Sequence, residues 1–214
     1  SVAGPNIVLN TIVAKELREF YSVLKDASDF DEAVAGIIKK TYTEHKRIVF
    51  NGNNYSDEWV KEAEKRGLLN LKSSPDAYDT FILPKNIAVF EEFGIYSSVE
   101  VHSRYEILNE EYSKTIHIEA LTLTDMINRQ VLPAVESYAA KVAGGVAAKT
   151  AVLPELKLTA ERSLLTKLAE LTDDLYSSVK ELENLTAEAD SYYGSAAAHF
   201  YRNAVIPQMD EVRK

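Results

Sequence analysis

Apolar residues near the start of the chain recur with a helical period, at Ile7, Val8, Ile12, Val13, Leu17, Phe20, Tyr21 and Leu24. That spacing predicts a helix with one apolar face, and Asn6 stands where an N-cap belongs. Asp29 or Asp31 predicts the start of a second helix, carrying Ala33, Val34, Ile37, Ile38 and Tyr42. Arg47 to Phe50 then runs apolar into the turn sequence Asn51-Gly52-Asn53-Asn54. No second alternating run exists to pair with it, and a lone strand would leave its backbone groups unbonded, so residues 47–50 read as an extended connector. Ser56 followed by Trp59, Val60 and Ala63, with Gly67 beyond, predicts a short helix. Ser74-Pro75-Asp76 starts another, broken at Pro84, and residues 85–93 form two further turns ending at Gly94.

Ser97 or Ser98 opens the longest periodic stretch, read as one helix over 97–143. A kink near Arg129 is expected, because Pro133 has no amide hydrogen and its ring meets the preceding turn. Gly144-Gly145 is expected to end this helix, and residues 146–158 to form a linker. Thr159 is expected to cap a helix over 159–188. There Leu164, Leu168, Leu171, Leu175, Leu182 and Leu185 alternate four and three apart with a break at Ser178, the seam of antiparallel packing. The 97–143 helix and a last helix over 191–213, bent at Pro207, are its expected covers. The seam reading places Leu171 inside, where an aspartate would cost several kcal/mol, and Lys180 outside. The predicted class is all-α: antiparallel long helices in a bundle-like packing, with several short helices before them.

Composition keeps this reading within ordinary globular proteins. Of 214 residues, 46% are hydrophobic and 27% charged, with 8 Gly and 6 Pro. The formal net charge of −9 has the wrong sign for a nucleic-acid backbone or an anionic membrane surface, so neither partner is expected. Without Cys there are no disulfides, thiolates or Cys-based zinc sites, and the cytoplasm is the default compartment. No run approaches the ~18 apolar residues that span a bilayer, and no basic segment precedes an apolar run at the N-terminus. The opening Ser-Val-Ala-Gly-Pro-Asn lacks Met, so a piece of something longer is expected.

Candidate chemistry is sparse. His102 with Glu106, and His117 with Glu119, suggest a carboxylate-bridged metal pair, but that site needs Glu-x-x-His on two helices, a spacing this sequence lacks. A polar helix face is the simpler reading. Gly144 to Lys149-Thr150 resembles a phosphate loop superficially, yet Ala148 replaces the glycine before the lysine and no strand precedes it; a flexible interhelix loop is expected instead. Ser103 follows His102 directly, so the two side chains diverge by about 100 degrees on a helix. Tyr105, Tyr112, Tyr192, Tyr193 and Tyr201 could line a pocket, although aromatic residues at helical spacing are usually core. No catalytic, cofactor-binding or metal residue is assigned.

Several blocks resemble one family. Ser1-Val-Ala-Gly-Pro-Asn-Ile-Val-Leu-Asn-Thr-Ile-Val-Ala14, Ile48-Val-Phe-Asn-Gly-Asn-Asn-Tyr-Ser-Asp-Glu-Trp59 and Lys61-Glu-Ala-Glu-Lys-Arg-Gly-Leu68 are similar to the C-terminal third of type III glutamine synthetases. Val101 to Ile107, Lys114 to Ala120 and Gln130 to Ala134 extend the likeness. The resemblance implies a parent ligase that makes glutamine from glutamate and ammonia, using ATP and Mg²⁺ or Mn²⁺, in ring-based oligomers. It also implies that the family's metal, nucleotide and ammonia-site residues precede Ser1, leaving no cofactor on this piece. Residues 1–45 would form the helical edge of the catalytic domain, 46–96 a connector with short helices, and 97–214 a C-terminal helical extension. The implied role is structural or oligomer-assembling, with the rest of the parent chain and its oligomer as partners. The alternative is an independent helical protein–protein interaction module.

Overall fold

Residues 2–214 are described by a computed structural model, and among them there is no β-strand. The fold is all-α. Its elements are α1 (Ala3–Leu24), α2 (Phe30–His45), α3 (Asp57–Lys65), α4 (Ser74–Phe81), α5 (Pro84–Glu92), α6 (Ser98–Met126), α7 (Leu132–Val152), α8 (Thr159–Ala189), α9 (Gly194–Phe200) and α10 (Ile206–Val212). The packing divides into two units, residues 1–105 and 106–214, with the division inside α6.

In the first unit, local signals set most helix ends. Asp29 accepts from the Glu32 amide at 2.9 Å and Ser56 from the Trp59 amide at 3.4 Å. Ser97 and Glu100 cap each other reciprocally at the start of α6. Gly67 and Gly94 take positive φ just past α3 and α5, where an L side chain would be strained. Asn6 is not a cap, since α1 already begins at Ala3. Residues 46–48 form a single 3₁₀ turn and only then extend. Their carbonyls are satisfied from outside: Arg66 donates to the Arg47 and Val49 oxygens at 3.2 and 2.8 Å, beside the stacked rings of Phe50 and Trp59. Phe81, Phe90 and Tyr96 form an aromatic chain, and Val101 is fully buried. Arg18 of α1 pairs with Glu92 and lies over the Phe93 ring.

In the second unit, α7 does not stop at Gly144-Gly145. Both glycines lie inside it and it runs to Val152, so the linker shrinks to residues 153–158. Flanking Val142, Ala143, Val146, Ala147 and Ala148 sustain the helix, whose interior glycines each cost about 1 kcal/mol relative to alanine. Thr159 is the first residue of α8 and not its cap; the preceding Leu158 has φ 47.

The kink expected before Pro133 takes the form of a π turn over Ile127–Val131, and a second occupies Tyr201–Val205 before Pro207. In each, the residue preceding proline reaches five positions back for its bond, Leu132 to Ile127 and Ile206 to Tyr201. The wider turn takes up the register that proline breaks by lacking an amide and crowding the carbonyl four residues earlier. Asn128 donates to Glu183 of α8 at 3.1 Å, and Gln208 to the Ser178 carbonyl at 2.9 Å. Both bent helices run antiparallel to α8, so both π turns meet it at about residues 181–185.

The leucine seam needs correction. Three rows with seven-residue spacing line one side of α8: Leu164, Leu171, Ser178, Leu185; then Leu165, Thr172, Val179, Thr186; then Leu168, Leu175, Leu182, Ala189. In every row the two residues in the second half of α8 are more buried than the two in the first half. Leu182 is 0% exposed, Leu164 37% and Leu171 53%. The second half of α8 is covered by α6, the second π turn and α10 in one cluster with Ala120, Ile127, Tyr201, Val205 and Met209. The first half has α7 alone. Leu171 therefore lies on the right face at a level where its cover has ended.

Thermal unfolding of dilute protein should separate these positions. Leu182→Ala is expected to cost about 2–5 kcal/mol as a buried truncation, whereas Leu171→Asp and Lys180→Ala should each stay within about 0.5 kcal/mol as surface changes. Equal losses at Leu182 and Leu171 would contradict the covered and uncovered halves.

Candidate functional site

The second unit holds a cleft of about 400 Å³ where one face of α6 meets the turn from α8 into α9. Glu110, Ser113, Lys114 and His117 come from α6, Asp190, Tyr192 and Tyr193 from the turn, and Tyr201 from the second π turn. The helical period explains the first group, which recurs three and four apart. Gly194 starts α9 at φ +55, and a Cβ there would stand 2.9 Å from Glu106 Oε2. The turn is therefore sharp enough to bring the tyrosine pair back onto α6.

At the base, the Tyr201 hydroxyl and His117 Nδ1 share a hydrogen bond of 2.9 Å, with the rings edge to face. Burial pushes the Tyr201 hydroxyl up from the ordinary tyrosine value, and the nearby Asp190 charge adds to the shift. Tyr201 thus keeps its proton. Tyr192 stacks on Phe200 at 4.6 Å between centroids, and Lys114 pairs with Glu110 at 2.6 Å at the rim. The cleft contains hydrogen-bonding groups and aromatic surface, and its Ser113 donates to the Asn109 carbonyl one turn back on α6.

Of the tyrosines singled out by sequence, Tyr192, Tyr193 and Tyr201 converge here, and Tyr112 packs against the adjoining core. Tyr105 belongs to the first unit, where its hydroxyl donates to Asp79 at 2.7 Å. His102 donates from its ring to the Ser98 carbonyl at 2.8 Å, one turn back on α6. Glu119 and Ser103 are exposed. Among the described residues, no group of three or more His, Asp or Glu is placed to hold a metal. The loop expected around Lys149 is helical: Lys149 pairs with Glu161 at 2.9 Å, holding that carboxyl below its ordinary range, and Thr150 bonds back to the Val146 carbonyl. Sequence reasoning missed Asp190 and Lys114, whose place in the cleft depends on the α8–α9 turn.

Tyr201→Phe would leave His117 Nδ1 without its partner and should lower stability by about 1 kcal/mol at neutral pH. Because the folded-state value of Tyr201 is raised, its contribution is fully present below the unfolded value of about 10 and is lost as pH rises through the folded one. Wild type should therefore lose more stability in alkali than the Phe variant, measured by chemical denaturation across that range. Parallel curves would refute a buried, protonated Tyr201.

Comparison with known proteins adds what the cleft does not supply. Residues 33–150 match the family described as the glutamine synthetase C-terminal domain. The chain is 38% identical over 219 aligned positions to the type-3 glutamine synthetase of Dictyostelium discoideum, covering 98% of this chain and 30% of that protein. It is 37% identical over 193 residues to a glutamine synthetase of Butyrivibrio fibrisolvens, covering 87% and 27%. Against one from Bacteroides fragilis the identity is 30% over 140 residues, covering 64% and 19%. The chain thus spans less than a third of the length of these relatives. With more than half of its residues inside the matched domain, the chain belongs to the glutamine synthetase C-terminal domain family.

Proposed function

We propose that this chain is the C-terminal helical portion of a type III glutamine synthetase that ligates ammonia to glutamate with ATP and Mg²⁺ or Mn²⁺, and that its part is structural and oligomer-assembling. The reacting groups would come from the portion of the enzyme outside the matched region. Among the described residues no metal-holding group is assembled and Lys149 is committed to Glu161, so the residues described do not fit a metal–nucleotide site, and no catalytic step is assigned to them. The compartment proposed is the cytoplasm. Among the described residues, no helix is long and apolar enough to cross a membrane.

One observation carries the structural role. Leu9, Val13, Leu17 and Tyr21 recur every four residues along α1, Phe30, Ile38 and Tyr42 stand eight and four apart along α2, and all seven are exposed. Single exposed apolar residues are ordinary, but a stripe at helical spacing marks a face built for contact. Relatives more than three times as long supply a body to cover it, and we assign α1 and α2 to the edge of the catalytic domain.

Calorimetry with ATP and Mg²⁺ should give no saturable heat for the chain alone, and a coupled assay no glutamine. Either signal would overturn the division of labour. Leu17→Asp should change the unfolding free energy of the chain by less than about 0.5 kcal/mol, while lowering soluble yield or activity in the full-length enzyme. An indifferent full-length enzyme would remove the argument from α1 and α2.

A further inference from the structure

The first half of α8 keeps the heptad rows of its second half but loses the cover. Together with α7 it forms an arm, residues 132–175, on which Tyr138, Val152, Leu153, Leu156, Leu164 and Leu171 are all exposed large apolar residues. Rows at this spacing make the seam of a multi-helix bundle, which two helices cannot close. Over the second half the closing helices are α6, α9 and α10 with their π turns; over the first half something else must do so.

Charge identifies the occupant. The arm carries five basic and six acidic residues, a net of −1, while the rest of the chain carries −8. At a net of −1 the arm is nearly neutral, so a second copy can approach it without strong repulsion. The signs are also segregated: Arg162 and Lys167 lie toward the tip of the arm, and Glu170, Asp173 and Asp174 toward its root. Among the described residues, Arg162, Lys167, Asp173 and Asp174 have no ion-pair partner. Laid antiparallel, the basic tip of one arm meets the acidic root of another, and the reverse contact follows by symmetry, as an isologous dimer requires.

We propose that the arm is a self-association surface. Two copies pair through their arms, antiparallel and two-fold related, with Leu164 and Leu171 facing the partner's arm and the four helices closing into one bundle. This deepens the assembly part of the proposed function by naming its surface and its occupant. Its failure is separable, because it is read from mass and not from activity.

Sedimentation equilibrium of the chain over micromolar concentrations tests this proposal. Wild type should be a reversible dimer, and Leu164→Lys with Leu171→Lys a monomer whose helical circular dichroism is unchanged. Lys167→Glu alone and Asp174→Lys alone should each weaken the dimer by at least tenfold, and the two together should restore it. Both charged side chains are exposed, so the swap remains informative should the leucine variant fold poorly. A wild type that stays monomeric, a dimer indifferent to the leucine changes, or a double swap without recovery would each overturn the proposal. A monomeric wild type would leave the assignment of α1 and α2 standing.

Discussion

The apolar face of α8 is the constraint from which the second unit is built. Three rows of side chains seven residues apart cannot be hidden by one neighbour, so at least two helices must flank them. Where they do, Val179 and Leu182 are removed from water completely. Pro133 and Pro207 each bend a flanking helix through a five-residue π turn, and both bends meet α8 at about the same level. The side chains of those turns, Ile127 in one and Tyr201 and Val205 in the other, then fill the space around Leu182.

The cleft follows from the same arrangement. Tyr201 belongs to a π turn and to the core cluster, and its hydroxyl is the part left facing His117. A residue recruited for packing thus carries a hydroxyl whose pKa burial raises, and the hydrogen bond ties α6 to the second π turn. This is an economical reason for an unusual tyrosine that requires no reaction at the site.

Uncovered apolar surface is unevenly distributed. It lies in period along α1 and α2 in one unit, and along the arm of α7 and α8 in the other. Phe90 and Val101 of the first unit are enclosed, while Leu69, Val99 and Ile118 are exposed outside these stripes. Contact faces of this kind, set at helical spacing, are what the proposed structural role requires.

The sequence alone determined the helices, because helical periodicity and caps are local. Asp29, Ser56, Ser97, Gly67 and Gly94 each act within one turn of their own position, and Pro133 and Pro207 bend whatever helix contains them. The matching blocks also determined the family. Extent and coverage were decided by tertiary structure. Gly144-Gly145 reads as a stop, yet helix continues because the residues on both sides favour it and α8 packs alongside. The Leu164–Leu171 row reads as buried because periodicity reports which face a residue occupies, and nothing local reports how far along that face the neighbour extends. Counting leucines alone also hid Val179, Thr186 and Ala189, which are buried on the same face of α8. The cleft was invisible for the same reason: its two halves lie some 80 residues apart, and only the α8–α9 turn brings them together.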